Sequence, residues 1–195
     1  MFNSTRPGRQ FRSAPMAFET RNDKNGPVIA GYFAVFNNPT ELWHGCIEQV
    51  APGAFSSSLG GDVRALIDHD TRLVIGRTTA GTLSLREDET GLYGEIKINE
   101  QDSDAMNLYA RVQRGDVSQC SFGFDIVAED YVLSEDGQTC TWTVRDVVLY
   151  EVSVVTFPAY EATSVEARGV DGAVSLNSSR LERRKNDLME RIKNL

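Results

Sequence analysis

The chain is 195 residues long, with 41% hydrophobic and 25% charged residues, the balance of a globular domain of ordinary size with room for flexible ends. No stretch approaches the ~20 uninterrupted apolar residues that span a bilayer. The basic N-terminus lacks the apolar run of a secretory signal, so the chain reads as soluble and intracellular.

The net charge of -8 is unevenly spread. Residues 1–25 carry five basic and two acidic groups and residues 180–195 carry six and three, which leaves -14 on residues 26–179. So acidic a body excludes a nucleic-acid-binding core, because phosphate contacts need clustered Lys and Arg. The two basic ends read as docking segments for an acidic partner or as solvated arms. Three cysteines (Cys46, Cys120 and Cys140), an odd number without CxxC spacing, predict reduced and mostly buried thiols. They predict neither a disulfide framework nor a thiolate zinc site.

Along the chain, residues 1–26 are rich in Arg, Asn, Pro, Gly and Ser and read as a mobile arm. From Pro27 a near-continuous apolar run, Val28 to Phe36, predicts a buried strand ended by Asn37-Asn38-Pro39. Pro52 to Leu59 reads as a short helix stopped by Gly60-Gly61. Val63 to Ile67 predicts a strand leading into Asp68-His69-Asp70, followed by strand patterns at Leu73–Arg77 and Thr82–Arg86. The acidic turn Glu87–Gly91 joins the last of these to Leu92–Ile98 as a hairpin. Asp102 or Ser103 can cap a helix with Ala105, Leu108, Tyr109 and Val112 at i, i+3, i+4 and i+7, and Gly115 suits the position past its end. Strands resume at Cys120–Val127 and Thr139–Leu149, the latter running on to Phe157. A Gly/Ser/Asn-rich linker at 169–179 precedes a capping box at Ser179–Glu182 and an amphipathic helix over 180–195. The body is mainly β with a few helices, an α+β class. Its strands must manage their edges, so a closed or nearly closed β-barrel is the expected architecture.

Only two histidines are available as a general base. His44 reads as a loop residue. His69 ends a strand between Asp68 and Asp70, where rigid backbone can hold a ring toward a cleft. Ser121 begins the aromatic strand Ser121-Phe122-Gly123-Phe124, a place that can fix a nucleophile while glycine admits a substrate backbone. Ser118 and the thiol of Cys120 compete for that role. Glu151 interrupts an apolar context, so it either faces solvent or is buried with a partner such as a histidine ring. Phosphate-binding glycine loops, HExxH, EF-hand loops and the GxSxG elbow are all absent.

Five segments together resemble the phage prohead protease family, itself distantly similar to the herpesvirus assemblin proteases. They are Gly31–Phe36, Pro52–Phe55, Leu66–Asp70 with Val74–Arg77, Cys120–Phe124 and Leu149–Ala159, in the family's order across residues 27–168. The resemblance implies a serine endopeptidase with His69 as general base and Ser121 as nucleophile. No histidine follows Ser121 to match the second histidine of assemblins, so Glu151 takes the third place, with Asp70 as the alternative. It implies no metal and no organic cofactor. The implied partners are a phage major capsid protein and scaffold protein, with a homodimer possible and neither nucleic acid nor membrane involved. The implied place of action is the immature procapsid in the host cytoplasm. Self-cleavage belongs in the arms, at 1–26 or 169–195. Rival readings are a non-catalytic capsid-assembly protein of the same fold and a cysteine protease using Cys120.

Overall fold

Alternating and continuous apolar runs become strands wherever a neighbour satisfies their backbone groups, and the computed structural model shows which neighbours they find. It describes residues 6, 8–14, 18–23 and 26–157, all within the unit Met1–Ala159. In chain order the strands are β1 (Gln10–Ala14), β2 (Glu19–Asp23), β3 (Gly26–Val35), β4 (Thr40–Trp43), β5 (Cys46–Val50), β6 (Arg64–Ile67), β7 (Asp70–Arg77), β8 (Leu83–Glu87) and β9 (Gly91–Lys97). The helix α1 (Ser103–Arg114) follows, and then β10 (Gln119–Leu133) and β11 (Cys140–Val155).

The strands form two sheets among the described residues, one of seven strands and one of four, and not the closed barrel expected from sequence. The seven-stranded sheet runs β1-β10-β11-β5-β4, with β6 also on β11 and β7 on β6. The reason lies in β11, whose 16 residues outrun any single neighbour on that side. Its first five residues pair in parallel with β5 and its last part with β6, so the sheet branches where a barrel would close. The second sheet runs β2-β3-β9-β8, and an isolated bridge from Phe36 to Val50 links the two.

Phe33, Phe55, Phe122 and Phe124 are among the largest fully buried side chains. Phe55 packs edge-on against Phe122 at 5.3 Å, and Phe122 stacks on Phe124 at 4.8 Å between ring centroids. Each such ring removed from water stabilises the fold by about 2–3 kcal/mol. The helix matches its sequence pattern: Asp102 caps it, Gly115 leaves it with φ 85°, and Ala105, Leu108, Tyr109 and Val112 are its buried residues. The Tyr109 hydroxyl donates to the Arg21 carbonyl at 3.2 Å and ties the helix to β2.

Three other expectations change. Pro52–Leu59 is a run of turns and not a helix, with Gly53 in the left-handed region at φ 86°. Two segments of the supposed N-terminal arm, β1 and β2, are sheet strands. Cys46 and Cys140 are disulfide-bonded, because the parallel register of β5 and β11 makes them direct partners with Cα atoms 4.5 Å apart. Cys120 takes no part in that disulfide, and it is buried. The linker and helix expected at 169–195 lie outside the described residues.

Candidate active site

His69 sits in the turn between β6 and β7. Ile67 and Asp70 pair across β6 and β7, leaving Asp68 and His69 as the two central residues with φ 47° and 59°. Two successive left-handed residues make a type I′ hairpin, which matches the twist of its strands but favours Asn or Gly at those places. The turn is held by the end of β11. Asp68 N–H donates to the Val154 carbonyl at 3.0 Å, and the Asp68 carboxylate accepts from Thr156 N–H at 2.7 Å. The imidazole is thereby aimed by backbone rather than by a flexible loop.

Beneath it, sheet register gathers the other candidates. Ser121 on β10 faces Ser153 on β11, and Gly123 faces Glu151. Residues two apart on a strand share a face, so Ser121, Gly123, Glu151 and Ser153 lie on one side of the sheet. Alternation sends Cys120 and Phe122 to the other side, where the Cys120 thiol meets the Tyr32 carbonyl at 2.8 Å.

Glu151 is buried at 5% exposure, and both of its oxygens are engaged. Oε1 lies 2.6 Å from His69 Nδ1, and Oε2 accepts from the Ser153 hydroxyl at 2.5 Å. A carboxylate on Nδ1 favours the tautomer that carries its proton there, leaving Nε2 with a lone pair. His69 Nε2 is buried and has no hydrogen-bond partner among the described residues. Gly123 makes the arrangement possible, since a Cβ there would stand 2.5 Å from Glu151 Oε1. Ser121 is fully buried, and its hydroxyl donates to the Arg12 carbonyl at 2.9 Å. The structure thus joins His69 to Glu151 and sets Ser121 on the same sheet face, with its proton directed to β1.

The rival residues stand elsewhere. Asp70 grips Arg72, whose hydrogen bonds hold its carboxyl down at about 2. Ser118 is exposed in the turn after α1, and His44 is exposed beside Glu41. Ser153 was missed in the sequence, although its spacing of two from Glu151 placed both on one strand face. Also missed was β1, whose Phe11 ring lies edge-on to His69 at 4.6 Å between centroids. No group of three or more His, Cys, Asp or Glu side chains among the described residues is arranged to hold a metal ion. No helix among them is long and apolar enough to cross a membrane.

A serine near a histidine–carboxylate pair is the constellation expected of serine hydrolases. Residues 16–175 match the family model of the caudovirus prohead serine protease. The prohead protease of Enterobacteria phage HK97 is 35% identical to this chain over 159 residues, which cover 78% of the chain and 65% of the relative's length. No solved structure gives a significant match. The chain belongs to the caudovirus prohead serine protease family.

Proposed function

We propose that the chain is a prohead-maturation serine endopeptidase, with Ser121 as nucleophile, His69 as general base and acid, and Glu151 as the group that orients His69. The observation that carries this reading is the buried Glu151–His69 pair at 2.6 Å, on the sheet face that also bears Ser121. Family membership supports the reaction class.

In this mechanism the Ser121 hydroxyl turns from the Arg12 carbonyl to His69 Nε2, the buried nitrogen whose lone pair meets no partner among the described residues. His69 takes the proton as Oγ adds to a peptide carbonyl carbon, then gives it to the departing amine. Water hydrolyses the resulting ester by the same proton route. Glu151 stabilises the imidazolium through its bond to Nδ1, while Ser153 holds the carboxylate from its far side.

The substrates on this reading are scaffold protein or a scaffold-like arm of the major capsid protein, together with the chain itself, inside the procapsid. Co-expression with the phage's capsid and scaffold proteins tests it. Fragments mapped by N-terminal sequencing are expected with the natural chain and not with Ser121→Ala. Intact products in both cases would leave only a non-catalytic assembly role. Processing that survived Ser121→Ala and stopped in Cys120→Ala would establish a thiol nucleophile instead.

A further inference from the structure

β1 touches the candidate site at both Ser121 and His69. It runs antiparallel along β10 at the end of the seven-stranded sheet, with Ser13 opposite Ser121 and Arg12 opposite Phe122. The Arg12 carbonyl accepts the Ser121 proton, and the ring one residue earlier, Phe11, lies against His69. The Arg12 guanidinium leaves on the other face and forks onto Glu48, with Nε on one oxygen and Nη2 3.0 Å from the other. Arg6 bridges Glu48 and Glu129. These two carboxylates are buried, at 3% and 4% exposure. The family match begins at residue 16, so β1 lies outside it.

Extended peptides bind commonly by adding a strand to a sheet edge, where backbone bonds hold the peptide and side-chain pockets choose it. A buried carboxylate is costly unless a cation meets it, so Glu48 and Glu129 form a place built for guanidinium groups. Burial pushes the Glu48 carboxyl up, but the hydrogen bonds and charges of Arg12 and Arg6 outweigh it and hold the carboxyl below its ordinary value.

We propose that β1 occupies the protein's own peptide groove as a built-in substrate: Glu48 selects arginine on the acyl side of the cut bond, His69 carries the apolar residue before it, and Arg12–Ser13 is an intramolecular cleavage point. This rests on the reading of Ser121 and His69 given above. Oγ of Ser121 bonds to the Arg12 carbonyl carbon while His69 Nε2 takes the hydroxyl proton. The Arg12–Ser13 bond then breaks, and the Ser13 nitrogen leaves as an amine with that proton. Water hydrolyses the Arg12 ester, giving a carboxylate on Arg12 and restoring the Ser121 hydroxyl. The cut frees the groove for a second peptide of the same kind, an extended segment with an aromatic or apolar residue followed by arginine.

The full chain and its Ser121→Ala variant are incubated at neutral pH and followed by intact mass and N-terminal sequencing. A product beginning at Ser13 is expected only with Ser121 present. A synthetic peptide of residues 6–20 is then offered in trans beside its Arg12→Gln form. The arginine peptide is expected to be cut with kcat/KM ~100-fold higher, as for a site that loses a charge-paired hydrogen bond to its substrate. In Glu48→Gln that preference should shrink to less than ~10-fold. Should Glu48→Gln fail to fold, Arg12→Gln in the full chain serves instead: it should lose the cut before Ser13, and because its β1 no longer pairs with Glu48 the arginine peptide should displace that strand and be cleaved in trans. An intact Arg12–Ser13 bond, or equal cutting of both peptides, with Ser121-dependent processing of capsid or scaffold protein, would overturn the groove assignment alone. The absence of any Ser121-dependent cleavage would remove the protease reading as well.

Discussion

A histidine in the second place of a type I′ turn holds a left-handed backbone that glycine adopts more easily, at a cost of about 1–3 kcal/mol. That strain is offset by the Asp68 contacts to β11, and it fixes the ring over Glu151. If the pair works as proposed, Ser121→Ala lowers the rate of processing by roughly 10⁴–10⁶-fold. Glu151→Gln, which keeps the shape but not the charge, lowers it by roughly 10³–10⁴-fold, whereas Asp70→Asn on the exposed turn changes it by less than about 3-fold. Rates on a capsid-derived peptide for these three variants decide which carboxylate is the third member. Gly123→Ala puts a Cβ 3.0 Å from the Phe11 ring and closer still to Glu151, so it should lower kcat while leaving the sheet folded by circular dichroism.

At the scale of elements, the short strand β1 is held by the ion pair of its Arg12 as well as by backbone pairing, and Arg6 ahead of it meets the same Glu48. The Glu48 carboxyl lies below its ordinary value in the folded chain. Its contribution is therefore fully present above the unfolded value of 4.5 and is lost as pH falls through the lower folded value. Hydrogen exchange across Gln10–Ala14 should accelerate in that acidic window while the β3–β9 ladder stays protected. Exchange in β1 that ignored acid would show that backbone pairing alone retains it. The β3–β9 ladder has its own weak point at Gly91, where a Cβ would stand 2.0 Å from the Ala34 carbonyl oxygen. Gly91→Ala should cost about 2–4 kcal/mol in urea unfolding, because rigid backbone and not a side chain must move.

Over the whole molecule, the disulfide between Cys46 and Cys140 closes a loop with a sequence separation of 94 residues. Chain-entropy arguments give about 4–5 kcal/mol for a cross-link closing a loop of that length. The denaturation midpoint should fall accordingly in Cys46→Ser with Cys140→Ser, and adding reductant should change the natural chain but not the double variant. The link joins β5 to β11 two residues from Glu48, so its loss should also quicken hydrogen exchange in β1.

The sequence by itself determined the local elements. The cap at Asp102 and the glycine at 115, the hairpin across Glu87–Gly91, and the apolar run from Val28 all depend on neighbours a few residues away. It also narrowed the candidate site, since a chain with two histidines and one acid inside an apolar strand offers few combinations. Tertiary structure alone decided what depends on strand order. Register in β5 and β11 pairs two cysteines far apart in the chain, and the sharing of β11 by β5 and β6 splits the sheet that pattern and edge arguments would close. The same holds for β1. Arg12 within it and Arg6 ahead of it look like the arginines of a solvated arm until two buried carboxylates from distant strands appear beside them, because charge pairing across a fold leaves no trace in local spacing.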